Sequence, residues 1–169
     1  MENYALSIAN YFVRLAKREG KAIRPLKLMK LVYIAHGYML AFLDRPTDGA
    51  KLEKVEAWQY GPVFPSVYYS FNKYGRRPIT EEAKVINFDA IDSSGDIFIT
   101  PIITEDIERK ICRFVWEKYG IYTDSTLVDT LHADGTPWRK VYVKGLNRII
   151  PDNITKSYYR FVIKKTLES

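Results

Sequence analysis

Residues 55–68 read VEAWQYGPVFPSVY, in which two large aromatic side chains precede a Gly-Pro pair and a second proline. Alternating side chains favour a weak strand over residues 51–60, because successive residues of a strand face opposite sides. We expect Gly61 and Pro62 to end this strand, since proline cannot donate a hydrogen bond to a neighbouring strand. Pro65 suits the first turn of a short helix. The run therefore predicts a strand, a tight break and a helix in close succession.

The segment upstream of this run contains the strongest helical pattern in the sequence. It begins near Pro25, a residue type favoured at a first helical position, and ends before Asp44, Arg45 and Pro46. Asp48 and Gly49 then mark a turn. Its apolar side chains recur at three- and four-residue intervals and form a long stripe. The members of the stripe are Leu28, Leu31, Val32, Ala35, Tyr38, Met39 and Phe42. We expect this helix to form the centre of the core.

Capping and spacing patterns predict further helices on both sides of this region. They begin near Tyr4, Thr104, Thr123 or Asp124, Thr136 and Asp152. Two β-rich runs, residues 84–91 and 97–99, flank a five-residue turn that contains glycine, and they read as a hairpin. The expected fold class is α+β and predominantly α-helical. It is a compact single domain over residues 1–169, with about six helices and a small antiparallel sheet or hairpin.

The composition is typical of an ordinary globular protein. The chain has 169 residues, 47% hydrophobic and 27% charged, which is enough to bury a core without disulfides or metal. Its single cysteine, Cys112, excludes an intrachain disulfide and favours a reducing compartment. We see no signal-peptide pattern and no apolar run long enough to span a bilayer. We therefore expect a cytoplasmic protein without membrane insertion.

The sequence carries no recognisable catalytic, metal-binding or cofactor-binding pattern. It lacks Cys-x-x-Cys, His-Glu-x-x-His and Gly-rich phosphate-loop signatures. His36 has a structural explanation as a partly buried, hydrogen-bonded residue, and His132 as a residue at a helix C-terminus. Cys112 is expected in or beside the core. We expect a protein that is not an enzyme and that holds no cofactor.

The net charge of +6 favours an acidic protein, a nucleic acid or an anionic surface as the partner. Basic residues cluster in three groups, within residues 17–30, 139–148 and 160–165, and these groups could contact phosphates. No helix-turn-helix, zinc-finger or RNA-recognition signature accompanies them. Solvated helix faces explain the groups better, and nucleic-acid binding remains an alternative.

Three blocks of the sequence together resemble the Panacea, or pan-antitoxin, domain family, which includes GepA-like and SocA-like proteins. The first block is PLKLMKLVYIAHG at residues 25–37, with Met29 where the family more often has glutamine. The second is EAWQYGPV at residues 56–63, continued by PSVY after one residue. The third is GTPWRK at residues 135–140, followed by IIPD at residues 149–152. The resemblance covers nearly the whole chain.

The resemblance implies a mainly helical antitoxin that neutralises a toxin encoded beside it by direct contact and occlusion. Toxins of the family include alarmone-synthetase-like and other toxic enzymes, and its genes are often associated with phages or prophages. Some SocA-like members instead act as adaptors that deliver the toxin to a protease or unfoldase, an alternative that stays open here. Strong DNA binding is not expected, because this chain has no room for the DNA-binding domain of some relatives.

The same blocks supply the candidate residues for a toxin interface or for support of the family motif. These residues are Lys30, Tyr33, His36, Trp58, Tyr60, Gly61, Pro62, Tyr68 and Trp138. We expect Trp58 and Trp138 in the core or at its edge. In contrast, Lys30, Tyr33 and His36 are expected to flank the buried stripe of the helix and to reach the partner. Partner specificity could also lie in residues 45–54 or in the predicted hairpin.

Overall fold

The computed structural model of the protein describes residues 3–45, 53–93 and 95–169. These residues form seven α-helices and five short strands, which confirms the mainly helical α+β class. The helices are α1 (Tyr4–Arg18), α2 (Pro25–Phe42), α3 (Pro65–Phe71), α4 (Asp106–Tyr119), α5 (Asp124–His132), α6 (Pro137–Val141) and α7 (Asp152–Glu168). The strands are β1 (Val55–Trp58), β2 (Gly61–Val63), β3 (Val85–Ile86), β4 (Phe98–Ile99) and β5 (Arg148–Ile150). The turn predicted at Asp48 and Gly49 lies outside the described residues.

Helix α2 lies at the centre of the fold, as predicted. It packs against α1, α3, α4, α5, α7 and β2, and every residue from 31 to 40 is buried. Its apolar residues are distributed around the helix rather than along one stripe, a pattern typical of a helix that other elements surround. Pro25 occupies the first turn, where its missing N–H costs no hydrogen bond.

Helices α2 and α7 approach each other closely at Gly37. A Cβ on Gly37 would stand 2.1 Å from Cδ2 of Tyr159, so the Tyr159 ring lies directly on the α2 backbone. The Tyr159 ring is buried and also contacts the rings of Tyr33 and Tyr38, at centroid distances of 6.1 and 5.0 Å. Because this packed ring has little room to move, the contact fixes the spacing of the two helices.

A buried hydrogen-bond network at His36 joins three helices. Nδ1 of His36 lies 3.0 Å from the hydroxyl of Tyr4 in α1, and Nε2 lies 3.0 Å from Oδ1 of Asp152 in α7. All three side chains are buried, so each polar atom needs a partner that replaces water. The prediction of a hydrogen-bonded structural histidine is confirmed.

Strands β2, β1 and β5 form an antiparallel sheet in that order. Glu56 of β1 pairs with Val63 of β2 on one side and with Ile149 of β5 on the other. The prediction that Gly61 and Pro62 end a strand is wrong, since the turn comes two residues earlier and Gly61 begins β2. Proline is tolerated because β2 is an edge strand of this sheet, where a missing N–H leaves no ladder bond unmade.

The predicted hairpin is present as β3 and β4, in which Val85 pairs with Ile99. Both strands are only two residues long, shorter than predicted, because residues 88–90 form a 3-10 turn. Most large apolar side chains of the hairpin are exposed, in contrast with those of β1. Ser94 of the predicted turn lies outside the described residues.

Replacing Gly37 tests the close approach of α2 and α7. Alanine is the better helix residue by about 1 kcal/mol, yet we expect Gly37→Ala to lower the free energy of unfolding by about 3 kcal/mol, because its methyl group would overlap the confined Tyr159 ring. Urea denaturation followed by circular dichroism measures the loss. Gly95→Ala is the control, since among the described residues a Cβ there meets only Oγ of Ser93, at 3.4 Å. A Gly37→Ala variant as stable as the wild type would contradict the close approach.

Candidate functional site

The structure divides the nine candidate residues into a buried set and a set that reaches the surface. Lys30, Tyr33, His36, Gly61, Pro62 and Trp138 are buried, and Trp58, Tyr60 and Tyr68 reach the surface. The expectation that the three α2 residues lie on a surface flank is wrong: Lys30 and Tyr33 are each 1% exposed and His36 is 0% exposed. The reason is that neighbouring elements cover α2 at these positions, so the helix has no solvent-facing side there.

Tyr33 and His36 connect α2 to α7. The Tyr33 hydroxyl lies 3.2 Å from Oγ1 of Thr155, one turn beyond the Asp152 carboxylate that meets His36. Burial raises the pKa of Tyr33 above its ordinary value, so this hydroxyl stays neutral. Both side chains act within the core, where a partner protein has no access to them in this fold.

Lys30 carries a buried ammonium group beside the turn between β1 and β2. Nζ donates a hydrogen bond to the carbonyl oxygen of Pro62 at 2.9 Å. No carboxylate among the described residues forms an ion pair with it, and burial lowers its pKa to about 7 because the charged form is deprived of water. Near neutral pH this lysine is therefore poised between its charged and neutral forms.

Gly61 gives the Lys30 side chain the space that it occupies. The φ of Gly61 is +114°, which side chains rarely adopt, and a Cβ there would stand 3.0 Å from Nζ of Lys30. The glycine thus permits the turn and leaves room for the ammonium group, and the next residue, Pro62, offers its carbonyl oxygen. This arrangement gives the Gly-Pro pair of the second sequence block a physical explanation.

The third sequence block reaches the same region through Trp138. Thr136 caps α6 by accepting a hydrogen bond from the backbone N–H of Arg139. The capped helix holds Trp138 so that its Nε1 donates to the carbonyl oxygen of Trp58 at 2.7 Å. Trp138 is buried and Trp58 is half-buried, which confirms the core and core-edge positions predicted for them.

Sequence reasoning missed His132 as a member of this region. Its ring stacks on that of Trp138, with centroids 3.7 Å apart and planes 4° from parallel. Nε2 is buried, lies 3.6 Å from the position of a Cβ on Gly61, and has no hydrogen-bond partner within the described part of the chain. Burial lowers the pKa of His132, and the nearby Lys30 lowers it further. No local sequence signal relates His132 to a lysine so distant in the chain.

We call Lys30, Gly61, Pro62, His132 and Trp138 the buried cluster, and an exposed group of aromatic residues adjoins it. We call Trp58, Tyr60, Tyr68 and Tyr69 the aromatic face. The Trp58 and Tyr68 rings meet edge to face at 4.9 Å, and the Tyr68 and Tyr69 rings at 5.2 Å. Tyr60 is 63% exposed and Tyr69, which was not among the sequence candidates, is 68% exposed. The aromatic face therefore offers large, accessible ring surfaces, and the rings of Trp58, Tyr68 and Tyr69 form a chain of contacts.

A cavity of about 370 Å³ opens beside the aromatic face. Trp58, Tyr60 and Tyr68 line it together with Met29 of α2. Among the described lining residues, Lys30 alone carries a charge. Largely apolar walls with a few placed polar groups are typical of binding pockets.

The described residues offer little for metal binding or nucleophilic chemistry. They contain no group of three or more His, Cys, Asp or Glu side chains that could hold a metal ion. Cys112 is buried, and burial raises the pKa of its thiol well above the ordinary value, which disfavours the reactive thiolate. None of the described helices is both long enough and apolar enough to cross a membrane.

The buried Lys30 predicts a specific dependence of stability on pH. The folded state loses the Lys30 proton near pH 7, whereas the unfolded chain keeps it to about pH 10.5. Within this window the unfolded state binds more protons, so the lysine makes the stability rise with pH, by about 1.4 kcal/mol per pH unit. Relative to Lys30→Met, the wild type should therefore gain stability from pH 7 to pH 9.

Urea denaturation of both proteins at pH 7, 8 and 9 measures this difference. Comparing the two proteins removes the contributions of other titrating groups. Lys17→Met, at an exposed lysine, is the control and should track the wild type at all three pH values. A difference in stability between wild type and Lys30→Met that stays constant with pH would contradict the lowered pKa of this lysine.

Comparison with known proteins identifies the family of this chain. Residues 28–139, from α2 into α6, match the family described as antitoxin SocA-like, Panacea domain. Antitoxin SocA of Caulobacter vibrioides is 34% identical over 162 aligned residues, which cover 93% of this chain and 82% of that protein. No solved structure matches the chain. The matched residues include most of α2, the β1–β2 turn and Trp138, and they contain the whole buried cluster. By this match and by its similarity to antitoxin SocA, the chain belongs to the SocA-like family that carries the Panacea domain.

Proposed function

We propose that this protein is an antitoxin that neutralises its cognate toxin by direct binding and by occlusion of the surface through which the toxin acts. Membership in the SocA-like family and the similarity to antitoxin SocA support the antitoxin role. The observation that carries direct binding is the aromatic face, a set of exposed rings beside a cavity. The partner expected for this surface is the protein encoded by the neighbouring gene.

The aromatic face has the composition of an interface hot spot. Tyrosine and tryptophan contribute large apolar areas with a polar tip, and they dominate the energetics of many protein interfaces. Tyr60 and Tyr69 are mostly exposed in the free protein, so a partner that covers them would remove much apolar surface from water. The cavity beside them gives an anchoring side chain of the partner a place to insert.

Paired strands, a helix anchored in the core and one side-chain hydrogen bond hold much of the aromatic face in place, which lowers the entropic cost of binding. Tyr60 lies in the turn between two paired strands, and Trp58 is fixed by a 2.6 Å hydrogen bond from its Nε1 to the Glu56 carboxylate. Tyr68 and Tyr69 lie on α3, which the buried residues Val67 and Phe71 anchor in the core. Side chains that are ordered before binding lose little freedom when the complex forms.

Hydrogen bonds made by the basic residues within 17–30 weaken the alternative of nucleic-acid binding. Nε of Arg24 donates to the carbonyl oxygen of Arg76, and Nζ of Lys27 donates to the carbonyl oxygens of Gly120 and Tyr122. Lys30, in the same group, is buried and bonds to a carbonyl oxygen as well. These three cations satisfy backbone oxygens of the protein itself, so they do not form a free stripe for phosphates.

The exposed hairpin is the competing protein-binding surface. Its large apolar side chains are open to solvent, with Phe88 73% exposed and Phe98 51% exposed. Its strands are two residues long, so it lacks the anchoring that β1, β2 and α3 give to the aromatic face. We therefore assign toxin binding to the aromatic face and use the hairpin as the comparison.

The test is co-expression and copurification of the tagged protein with the product of its neighbouring gene, with growth followed in parallel. Tyr60→Ala combined with Tyr69→Ala should weaken the complex by at least about tenfold and reduce the rescue of growth, because both rings lose their contact area. Thermal unfolding should be nearly unchanged, since both side chains are exposed. Phe88→Ala with Phe98→Ala is the matched control and should bind like the wild type.

Each other outcome has a defined meaning. Loss of binding in the hairpin variant, with normal binding by the aromatic-face variant, would move the interface to the hairpin. Rescue of growth by the wild type without a stable complex, together with a longer toxin lifetime in cells that lack the host unfoldase, would favour the adaptor mechanism. If the neighbouring protein is not toxic and does not copurify, the proposed function is wrong.

A further inference from the structure

The fold leaves the charge of Lys30 without an ionic partner. A buried cation is costly unless a carboxylate and further hydrogen bonds compensate it. The Lys30 ammonium has three donors, and within the described residues one of them is used, on the carbonyl oxygen of Pro62. Tyr33 and His36, the other polar residues buried on this part of α2, are hydrogen-bonded to side chains of α1 or α7. Lys30 is the exception that the packing of the fold does not explain.

A second unsatisfied polar atom lies beside the same glycine. Nε2 of His132 and Nζ of Lys30 both lie within 3.6 Å of the point where a Cβ on Gly61 would stand. Nε2 is buried and without a partner in the described part of the chain, and stacking on Trp138 fixes the plane of its ring. The region therefore concentrates unused hydrogen-bonding capacity next to a residue that has no side chain.

The same region opens onto the cavity of about 370 Å³ at the aromatic face. Lys30 and Gly61 both line this cavity, between the aromatic rings and Met29. A side chain that enters it would meet mostly apolar walls, the amides of Gln59 and Asn147, and Lys30 as the one charge among the described lining residues. The complement of this environment is a carboxylate on an apolar stem.

We propose that a glutamate or aspartate side chain of the bound toxin enters this cavity and that its carboxylate pairs with the ammonium group of Lys30, next to His132. This inference rests on the proposed function, because it names the chemistry by which the aromatic face recognises the toxin. The ion pair would give Lys30 a negatively charged partner, which it does not have among the described residues. The chain's net charge of +6 also favours an acidic partner surface.

Proton uptake gives a readout that a purely structural lysine would not produce. Free Lys30 is mostly neutral at pH 8, because burial lowers its pKa to about 7. A carboxylate at its side favours the charged form, so binding should draw a proton from the buffer. Isothermal titration of the wild type with the purified neighbouring protein, in Tris and in phosphate at pH 8, measures this uptake.

The expected result is an uptake approaching one proton per complex for the wild type and a clear reduction for Lys30→Met. Lys30→Met should also bind about 30-fold or more weakly, as expected when one member of a buried ion pair is truncated. Lys17→Met makes the same substitution at an exposed position and should match the wild type in both quantities. Circular dichroism of each variant establishes that it is folded.

The acidic partner is located by changing surface glutamates and aspartates of the toxin singly to glutamine and asparagine. One such change should weaken binding as much as Lys30→Met does, and the two changes together should cost little more than either alone. Wild-type binding with no proton uptake, or a folded Lys30→Met variant that binds as tightly as the wild type, would overturn the ion pair and leave the proposed function standing. Failure of the wild type itself to bind would refute the proposed function instead.

Discussion

The structure depends on how a helix buried on nearly every side satisfies its own polar residues. Lys30, Tyr33 and His36 follow one another along α2 and are almost completely removed from water. Each polar tip finds its partner outside α2: Lys30 bonds to the Pro62 carbonyl in β2, Tyr33 to Thr155 in α7, and His36 to Tyr4 in α1 and Asp152 in α7. Since an unpaired buried polar group costs on the order of 1–3 kcal/mol, these bonds constrain where the elements around α2 can dock.

The same constraint explains why the family motif has its particular residues. Gly61 leaves the volume that the Lys30 side chain fills, and the carbonyl of the following proline accepts its hydrogen bond. Trp138 closes the region from the other side through its bond to the carbonyl of Trp58 and its stacking with His132. The three sequence blocks that define the resemblance are therefore parts of one buried cluster. Much of the motif serves the fold, and a smaller part of it reaches the surface.

The aromatic face and the buried cluster nevertheless meet at the same cavity. Tyr60 and Tyr68 present rings at its rim, and Lys30 contributes the charge among its described lining residues. An interface built in this way would combine apolar area, which gives affinity, with one desolvated charge, which gives selectivity for a complementary partner. The division also means that variants of the exposed Tyr60 and Tyr69 test the proposed binding with little effect on folding, whereas variants of the buried residues affect both.

The sequence by itself determined the helices, the hairpin, the core position of α2 and the burial of Trp138, because periodicity, capping residues and aromatic size are local properties of the chain. Sequence reasoning misplaced Lys30 and Tyr33, and of its two interpretations of His36 the structural one is confirmed and the surface one is wrong. Polar residues usually mark a solvent-facing side, and no local pattern reveals that neighbouring elements cover a helix all round. It also missed β5, because a strand of three residues is too short to show a periodic pattern. It mistook Gly61 and Pro62, which begin β2, for the end of a strand. Only the tertiary structure brought His132 to Gly61, since this approach depends on contacts between segments that lie far apart in the sequence. The exposure of Tyr69 was also decided by packing, because the core covers the side of α3 that carries Val67 and Phe71.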